Sequence, residues 1–354
     1  MDEVLAVNFW SLGQFKSGQT ADYAFTGRVN SDQPENLAFQ TEIWATYDNT
    51  EYLLTKKQNT APLKFSQLKL DFINTEKNFS ISPGSETIYT LHYKNEEKYA
   101  LDNLELGLNL NGEYVADPHQ IIFKQKDYPQ FSKVEPGEEG SIEVKVKTKP
   151  TIGFSSYQEN GYQLEARIFA AYDDSVEKSR ISIESSPFYT KVDSRLSLNT
   201  VGLFYTPLGD QIGVGSVPPV VNEYTSYWII IKVNNTINKI KDLKVAAKVP
   251  AGIEFTNINN VSAGNQIIFN DNSRNLEWSV DSVSAFAGIS SPAPEARIQL
   301  AITPASSQVG TSPALLTNIS ATATDTVTGA FLTASGKDIT IAIFPDPSLN
   351  KVIE

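Results

Sequence analysis

A pattern of short apolar segments recurs three times along this chain and limits its fold more than any other feature. The third copy runs through residues 276–280 and 298–302 to a segment ending at Asp325. The second copy starts around Phe131 and passes through residues 142–146 to Asp173, and the first starts at residue 8 and reaches Asp48. Such repetition at long intervals predicts an array of similar domains. The last interval is the longest, which predicts an insertion there, and the Gly/Pro-rich residues 204–219 are the candidate.

Alternation of apolar and polar residues predicts β-strands throughout the chain. Tyr89, Leu91 and Tyr93 fall on one face of such a strand, as do alternate residues of 142–146. Residues 162–171 have helical propensity, but they match residues 41–46 and are therefore predicted as a strand. Many short strands separated by turns rich in Gly, Pro and Asn predict an all-β fold of tandem immunoglobulin-like antiparallel β-sandwiches, the first one incomplete.

The points at which the pattern restarts predict the domain boundaries. Domain starts fall near Leu63 and Lys191. The predicted domains are residues 1–62, the back half of a truncated sandwich; 63–190, a sandwich; 191–345, a sandwich with the inserted loop; and 346–354, a tail or linker. In the first domain the strands carrying Tyr23, Phe25, Ile43 and Trp44 are expected to lack part of their cover.

Composition excludes several functional classes. The chain has 354 residues and a formal net charge of −12, which would repel nucleic acid rather than bind it. It has no cysteine, which excludes disulfides, thiolate metal sites and cysteine nucleophiles but leaves the compartment open. Residues 1–3 are followed by no basic and apolar run of the kind that forms a signal peptide, and an export signal or anchor is expected outside this stretch.

Two segments carry a resemblance to a known group of proteins. Residues 83–95 consist of a Pro-Gly turn, an alternating strand and Asn95, and residues 219–231 with Asn235 and residues 249–255 repeat that arrangement. This resembles the immunoglobulin-like repeats of bacterial and archaeal cell-surface proteins, of the domain-of-unknown-function "conserved repeat" and CARDB-like type. The resemblance implies an extracellular stalk, spacer or adhesive module, and it provides no shared catalytic residues.

Candidate ligand sites have simpler structural explanations. Residues 209–215 contain glycines but are followed by prolines rather than a helix, so a loop is favoured over a phosphate cradle. Residues 270–273 and 173–174 offer oxygens for calcium, yet turn formation explains both. His92 and His119 are the only histidines, and His92 is predicted to point outward, which disfavours a metal site.

Strand parity and sequence context also bear on an isopeptide bond, a sugar-binding face and glycosylation sites. Lys232 is predicted to point outward, which disfavours an isopeptide bond to an asparagine. Aromatic residues are predicted mainly at core positions rather than on a sugar-binding face. Glycosylation sequons at Asn78, Asn234, Asn260 and Asn318 matter only in a eukaryotic secretory system.

The sequence therefore predicts a non-catalytic structural or spacer segment of a large extracellular surface protein. The alternative is an adhesin-like module that binds carbohydrate or protein, with loop residues 204–219 as one candidate surface. We predict no catalytic residues, no cofactor and no metal, because no acid, base or metal-binding groups converge in the pattern. Expected partners are further domains of the same longer chain and other surface proteins or glycans, with no nucleic acid and no membrane contact by this segment.

Overall fold

The computed structural model describes residues 11–22, 36–62, 66–73, 80–152, 162–176 and 178–354. The chain divides into two compact units, residues 1–65 and residues 66–354. Tyr23 and Phe25 lie outside the described residues, as do Trp10 and Asn78. The boundaries predicted near Leu63 and Lys191 stay predictions.

The described residues form β-strands and three short 3-10 turns. The strands are β1 (Asn36–Tyr47), β2 (Thr50–Pro62), β3 (Leu68–Ile73), β4 (Ser80–Ile81), β5 (Glu86–Asn95), β6 (Leu101–Asn111), β7 (Gln120–Phe123), β8 (Lys133–Val134), β9 (Glu139–Lys147), β10 (Gln163–Asp174), β11 (Ser179–Glu184), β12 (Phe188–Val192), β13 (Leu196–Leu203), β14 (Thr225–Asn235), β15 (Ile240–Lys248), β16 (Ile253–Val261), β17 (Ile268–Asn270), β18 (Asn275–Val283), β19 (Glu295–Ile302), β20 (Ala314–Asp325), β21 (Phe331–Ser335) and β22 (Ile339–Thr340). The 3-10 turns are Pro129–Ser132, Ser306–Gln308 and Pro347–Asn350. The predicted all-β class is confirmed, and residues 163–171 are strand.

In the first unit, β1 and β2 form an antiparallel hairpin. Its two-residue turn places Asp48 and Asn49 at φ of 48° and 56°, the left-handed conformations that the common two-residue hairpin turn requires. The pairing runs from Tyr47 opposite Thr50 to Asn36 opposite Pro62, with a bulge after Ile43. Residues 41–46 therefore lie in a strand, as their match to residues 162–171 predicts.

The second unit begins with sandwich A, which we define as β3 to β12. One sheet has the order β3-β5-β9, and the other has the order β4-β12-β10-β6-β7, with β11 on β10 and β8 on β6. All pairings are antiparallel except the short one between β12 and β4. Inward residues of both sheets form one core, as the fully buried Leu91 of β5 and Ile168 of β10 illustrate. Ile88, at the outward parity of β5, is half exposed, as the alternation predicts.

Sandwich B, defined as β13 to β22 with the residues after them, repeats this plan. Its sheets have the orders β13-β14-β19-β16 and β17-β18-β15-β20-β21, with β22 on β20. The extra length of this copy lies in two places. The predicted insertion, residues 204–219, lies in the irregular connection between β13 and β14, and a second addition includes β16, which pairs with β19.

The repeat is shifted by one residue from the sequence alignment. The partner of Leu101, the first residue of β6, is Asp174, and the partner of Ile240, the first residue of β15, is Asp325. Asp174 and Asp325 are both buried, whereas Asp173 points outward and pairs with Arg180. Asp174 is therefore the counterpart of Asp325, and the alignment of Asp173 with Asp325 is wrong. Two adjacent aspartates made the positions indistinguishable by sequence.

The last nine residues, predicted as a tail or linker, pack against sandwich B. Val352 is buried in its core, and Ile353 forms a parallel bridge with Val220. The amide of Val221 donates to the carbonyl of Ile353, and the amide of Ile353 donates to Pro219. Separately, no helix among the described residues is long and apolar enough to cross a membrane.

Candidate functional site: the junction between sandwiches A and B

The two sandwiches are joined by three residues, Asp193, Ser194 and Arg195, between β12 and β13. Asp193 and Ser194 are buried and Arg195 is exposed. Polar residues in a connection usually face water. Their burial here shows that the link is part of a packed interface.

A hydrogen-bond network crosses this link. The amide of Ser194 donates to Asp325 Oδ2 at 2.7 Å, and Asn238 Nδ2 donates to the same oxygen at 2.9 Å. Asn238 Nδ2 also donates to the carbonyl of Val192 at 2.9 Å, which lies at the end of sandwich A. The amide of Asn238 donates to Ser194 Oγ, and Ser194 Oγ donates to the carbonyl of Asn238. Asn238 thus holds the last strand of sandwich A against sandwich B.

The buried carboxylate of Asp325 is compensated by N–H groups. Its Oδ1 accepts from the amides of Val327 and Thr328 at 2.8 and 3.1 Å, in addition to the two donors on Oδ2. No basic side chain in the described part of the chain pairs with it. Hydrogen bonds to a charged acceptor are the stronger kind. Asp325 therefore fixes the turn after β20 and the interdomain link together.

Asp193 ties the same link back to sandwich A. Its amide donates to the carbonyl of Ile81 at 3.0 Å, and its Oδ2 accepts from Ser82 Oγ at 3.1 Å. On the exposed side, Lys191 Nζ donates to the carbonyl of Val327 in sandwich B at 3.2 Å. The connection is therefore hydrogen-bonded to sandwich A through Asp193 and to sandwich B through Ser194 and Arg195.

The network is not complete. Asp193 Oδ1 and Asn238 Oδ1 are buried and have no hydrogen-bond partner among the described residues. A buried polar atom without a partner costs about 1–3 kcal/mol, which offsets much of what the neighbouring bonds contribute. The polar groups therefore do more to fix the relative orientation of the sandwiches than to stabilise them.

Apolar burial supplies the stabilising part of the interface. Ile237, Ala285 and Phe286 belong to the loops of sandwich B but pack into the core of sandwich A, and each is at most 3% exposed. The ring of Phe286 lies edge-on to Tyr162 of sandwich A, with centroids 6.4 Å apart. Full burial of a large apolar side chain contributes about 1.5–3 kcal/mol. Side chains from sandwich B thus complete the core of sandwich A at the junction.

A groove of about 690 Å³ opens beside the link. Its lining comes from both sandwiches: residues 82–84 and Pro150 on one side, and residues 194–198 and 331–335 on the other. The lining mixes hydroxyl groups with the largely exposed ring of Phe331. It holds no cluster of acidic or histidine side chains, and the described residues contain no group of three such side chains that could hold a metal ion.

The opposite end of sandwich A has a similar set of hydrogen bonds, but its loop residue bonds within the same sandwich. Asn95 Nδ2 donates to the carbonyls of Tyr99 and Val134, just as Asn235 Nδ2 donates to those of Asn238 and Ser284. There the hydroxyl of Tyr99 donates to Asp174 Oδ2 at 2.8 Å. Burial and then this bond to Asp174 raise the pKa of the Tyr99 hydroxyl well above its usual value.

The other residues singled out from sequence occupy structural positions. Lys232 points outward and pairs with Glu295 at 3.0 Å, which fits the prediction. Asn270 Oδ1 accepts from the amides of Asn272 and Ser273, which makes residues 270–273 a turn. His92 lies at the outward parity of β5, and His119 lies outside that strand, 3.7 Å from Asp117. In the segment 209–215, a Cβ on Gly215 would lie 2.2 Å from the carbonyl oxygen of Tyr224, so this glycine permits a close backbone approach.

Sequence reasoning missed the junction residues. Asp325 could have been identified from the sequence, because it continues the inward parity of Ala321 and Ala323. It is therefore a polar residue at a core position. Asn238 and Ser194 carried none, because short polar residues in a loop are usually attributed to turns.

Comparison with solved structures finds distant similarity to bacterial surface proteins. The C-terminal domain of AspA, an antigen I/II-family protein of Streptococcus pyogenes, matches with 8% identity and a TM-score of 0.31, over 78% of this chain and 99% of that one. BcpA, the major pilin subunit of Bacillus cereus, matches with 8% identity and a TM-score of 0.30, over 69% of this chain and 65% of that one.

A third match is an enzyme, the transglutaminase of red sea bream. It has 9% identity and a TM-score of 0.24, over 78% of this chain and 31% of that one. No protein-family model and no curated protein matches the chain. Similarity at this level carries no functional argument, and the function must be argued from the geometry of the junction.

Proposed function

We propose that residues 66–354 are a stiff, non-catalytic spacer within a larger extracellular surface protein. The observation that carries this proposal is the buried junction, in which a three-residue link is bonded on both sides and side chains of one sandwich enter the core of the other. Independent domains joined by a flexible linker are the default expectation unless their interface is large and apolar. A linear array with fixed interfaces transmits orientation from one repeat to the next.

The proposed location and partners follow from the resemblance and the charge of the chain. The resemblance of residues 83–95 to cell-surface repeats supports an exported chain. The formal charge of −12 favours proteins or glycans over nucleic acid as neighbours. We propose further domains of the same longer chain as the main partners, and immunoglobulin-like repeats of the CARDB-like type as the kind of domain that residues 83–95 resemble.

Amide nitrogen relaxation of the full chain tests the stiffness. A spacer predicts that sandwiches A and B tumble with one rotational correlation time, because the junction does not bend on the nanosecond timescale. Two clearly different correlation times would contradict the proposal.

A second candidate is an adhesin-like binding module. Residues 204–224 expose several apolar side chains, among them Leu208, which is 92% exposed, Val214 and Tyr205. Exposed apolar groups clustered on one loop are a common mark of a binding surface. A glycan array and a pull-down against envelope or host extracts distinguish the two functions. Saturable binding that is lost in Leu208→Asp would favour the module, whereas a spacer predicts none.

A further inference from the structure

The strand β1 carries the same core motif as β10 but does not bury it. Ile168, Ala170 and Tyr172 of β10 are completely buried. The corresponding motif in β1 begins with Ile43, which is 39% exposed, and ends with Tyr47, which is 77% exposed. The same residue types in corresponding positions of β1 and β10 thus have opposite environments.

The paired edges of the two strands differ as well. β10 is hydrogen-bonded on one side to β6 and on the other to β11 and β12. β20 in sandwich B likewise lies between β15 and β21. Among the described residues, β1 pairs only with β2. In the described part of the chain, the other edge of β1 therefore has no strand partner, and one face of the hairpin exposes apolar side chains. A two-stranded hairpin is at best marginally stable alone.

Cross-strand register separates the two faces of the hairpin. Ala45 lies opposite Tyr52, so Ile43, Ala45, Tyr47 and Tyr52 share one face, which we call the Tyr47 face. The other face holds Trp44 opposite Leu53 and Glu42 opposite Lys56.

That second face satisfies its polar groups by itself. Lys56 Nζ lies 3.0 Å from Glu42 Oε1, and Trp44 Nε1 donates to Glu42 Oε2 at 3.1 Å. This face also exposes Trp44 and Leu53, but it does not carry the residues that match the buried Ile168, Ala170 and Tyr172 of β10. The Tyr47 face has no such bonds among the described side chains and is the one expected to be covered.

The two complete sandwiches indicate what covers it. In sandwich A, the inward side chains of β10 share one core with those of β3, β5 and β9, including Tyr89, Leu91 and Val144. The partner of such a face is therefore a sheet whose inner side alternates tyrosine, leucine and valine, accompanied by a strand of the β6 type that pairs with the other edge of β1. Two hairpins packed face to face would leave both β1 edges unpaired.

We propose that the Tyr47 face is a docking surface for the front half of a β-sandwich of this kind, supplied by a separate polypeptide segment that pairs with β1 and covers Ile43 and Tyr47. This goes beyond the spacer function, which concerns residues 66–354. It makes the hairpin an assembly element that joins this chain to a neighbouring repeat.

The test fuses a second copy of residues 66–152 through a flexible linker ahead of residue 1 of the full chain. This copy contains β3 to β9 but lacks β10 to β12, so it offers the front half without its own cover. We expect amide hydrogen exchange of residues 36–59 to slow by about tenfold or more relative to the unfused chain, because local opening becomes coupled to loss of the interface. A fusion of residues 66–192, in which β10 already covers the front half, should leave the exchange unchanged.

Matched substitutions separate docking from a general effect. Ile43→Asp, on the Tyr47 face, should abolish the slowing, whereas Leu53→Asp, on the opposite face and 45% exposed, should preserve it. The proposal is overturned if neither the hairpin nor the fused half gains protection, because a docked pair protects both. It is also overturned if the fusions of residues 66–152 and 66–192 slow the exchange of the hairpin equally. The same holds if Ile43→Asp and Leu53→Asp reduce that slowing equally. Slowing that depends on concentration in the unfused chain would make a second copy the occupant and would likewise overturn it.

Discussion

The junction end of sandwich B and the Asn95 end of sandwich A have similar hydrogen-bond arrangements but differ in what the loop residue contacts. Both have a buried asparagine as the last residue of a strand, Asn235 of β14 and Asn95 of β5, and a buried aspartate at the end of a later strand, Asp325 and Asp174. In sandwich B the loop residue Asn238 reaches across to the main chain of sandwich A. In sandwich A the corresponding loop contributes Tyr99, which closes on Asp174 of the same sandwich. The two loop residues therefore make different contacts: Asn238 bonds to the neighbouring sandwich, and Tyr99 bonds to an aspartate of its own sandwich.

The largest effect is expected from Asp325→Ala. This change leaves four N–H donors in a buried site without an acceptor, which should lower the free energy of unfolding by about 3–5 kcal/mol. Urea unfolding measures it. Asp173→Ala is the matched control: Asp173 is exposed and pairs with Arg180 at 2.9 Å, so its loss should cost about 0–1 kcal/mol. Equal costs would show that Asp325 does not hold the junction.

A substitution in the core, away from both sandwich ends, gives a reference value for the loss in free energy of unfolding. Leu91 is completely buried in β5, and Leu91→Ala should lower the free energy of unfolding by about 2–5 kcal/mol through lost burial and the cavity it leaves. His92→Ala, at the outward parity of the same strand, should change it by about 0.5 kcal/mol or less. The reverse order in urea melts would mean that the register of β5 is off by one residue.

Asn238→Ala and Tyr99→Phe compare the two closures directly. Each removes hydrogen bonds to a buried carboxylate, worth about 1.5–3 kcal/mol. Asn238→Ala should also make the correlation times of the two sandwiches diverge, because it releases Val192. Tyr99→Phe should destabilise sandwich A without that divergence. Divergence in both variants, or in neither, would remove the distinction between the two ends.

The smallest effect is expected at alkaline pH. The pKa of the Tyr99 hydroxyl is raised in the folded chain, by burial first and by Asp174 second. A raised pKa contributes stability that is fully present below about pH 10, the value in the unfolded chain. That stability is lost as the pH rises further toward the folded value. Stability should therefore fall more steeply above pH 10 in the natural chain than in Tyr99→Phe, and identical slopes in pH-dependent melts would contradict this.

The strands could be predicted from sequence because their signal is local. Tyr89, Leu91 and Tyr93 alternate with polar residues, and burial of one face requires that period. For residues 162–171, helical propensity alone favours a helix. The repeat favours a strand instead, because the same pattern occurs at residues 41–46. The one-residue error at Asp173 arose because adjacent aspartates make two registers equally plausible, and only the partner strand decides between them.

The junction could not be predicted in the same way. Ser194, Asn238 and Asp325 lie far apart in sequence, and their residue types are ordinary in turns. Their role depends on the placement of one sandwich against the other. That placement is set by apolar side chains, including Ile237 and Phe286, which lie in loops and follow no strand period. Long-range packing of loops is not encoded in any local pattern.

Distance measurement across the junction tests the central claim most directly. The chain has no cysteine, so Lys145→Cys on sandwich A and Glu277→Cys on sandwich B would carry the only two spin labels. Pulsed dipolar spectroscopy should give one narrow distance distribution, which broadens when Asn238→Ala is added to the labelled chain. A distribution that is already broad without Asn238→Ala would mean that the junction bends freely, and the account of a stiff spacer would then be wrong.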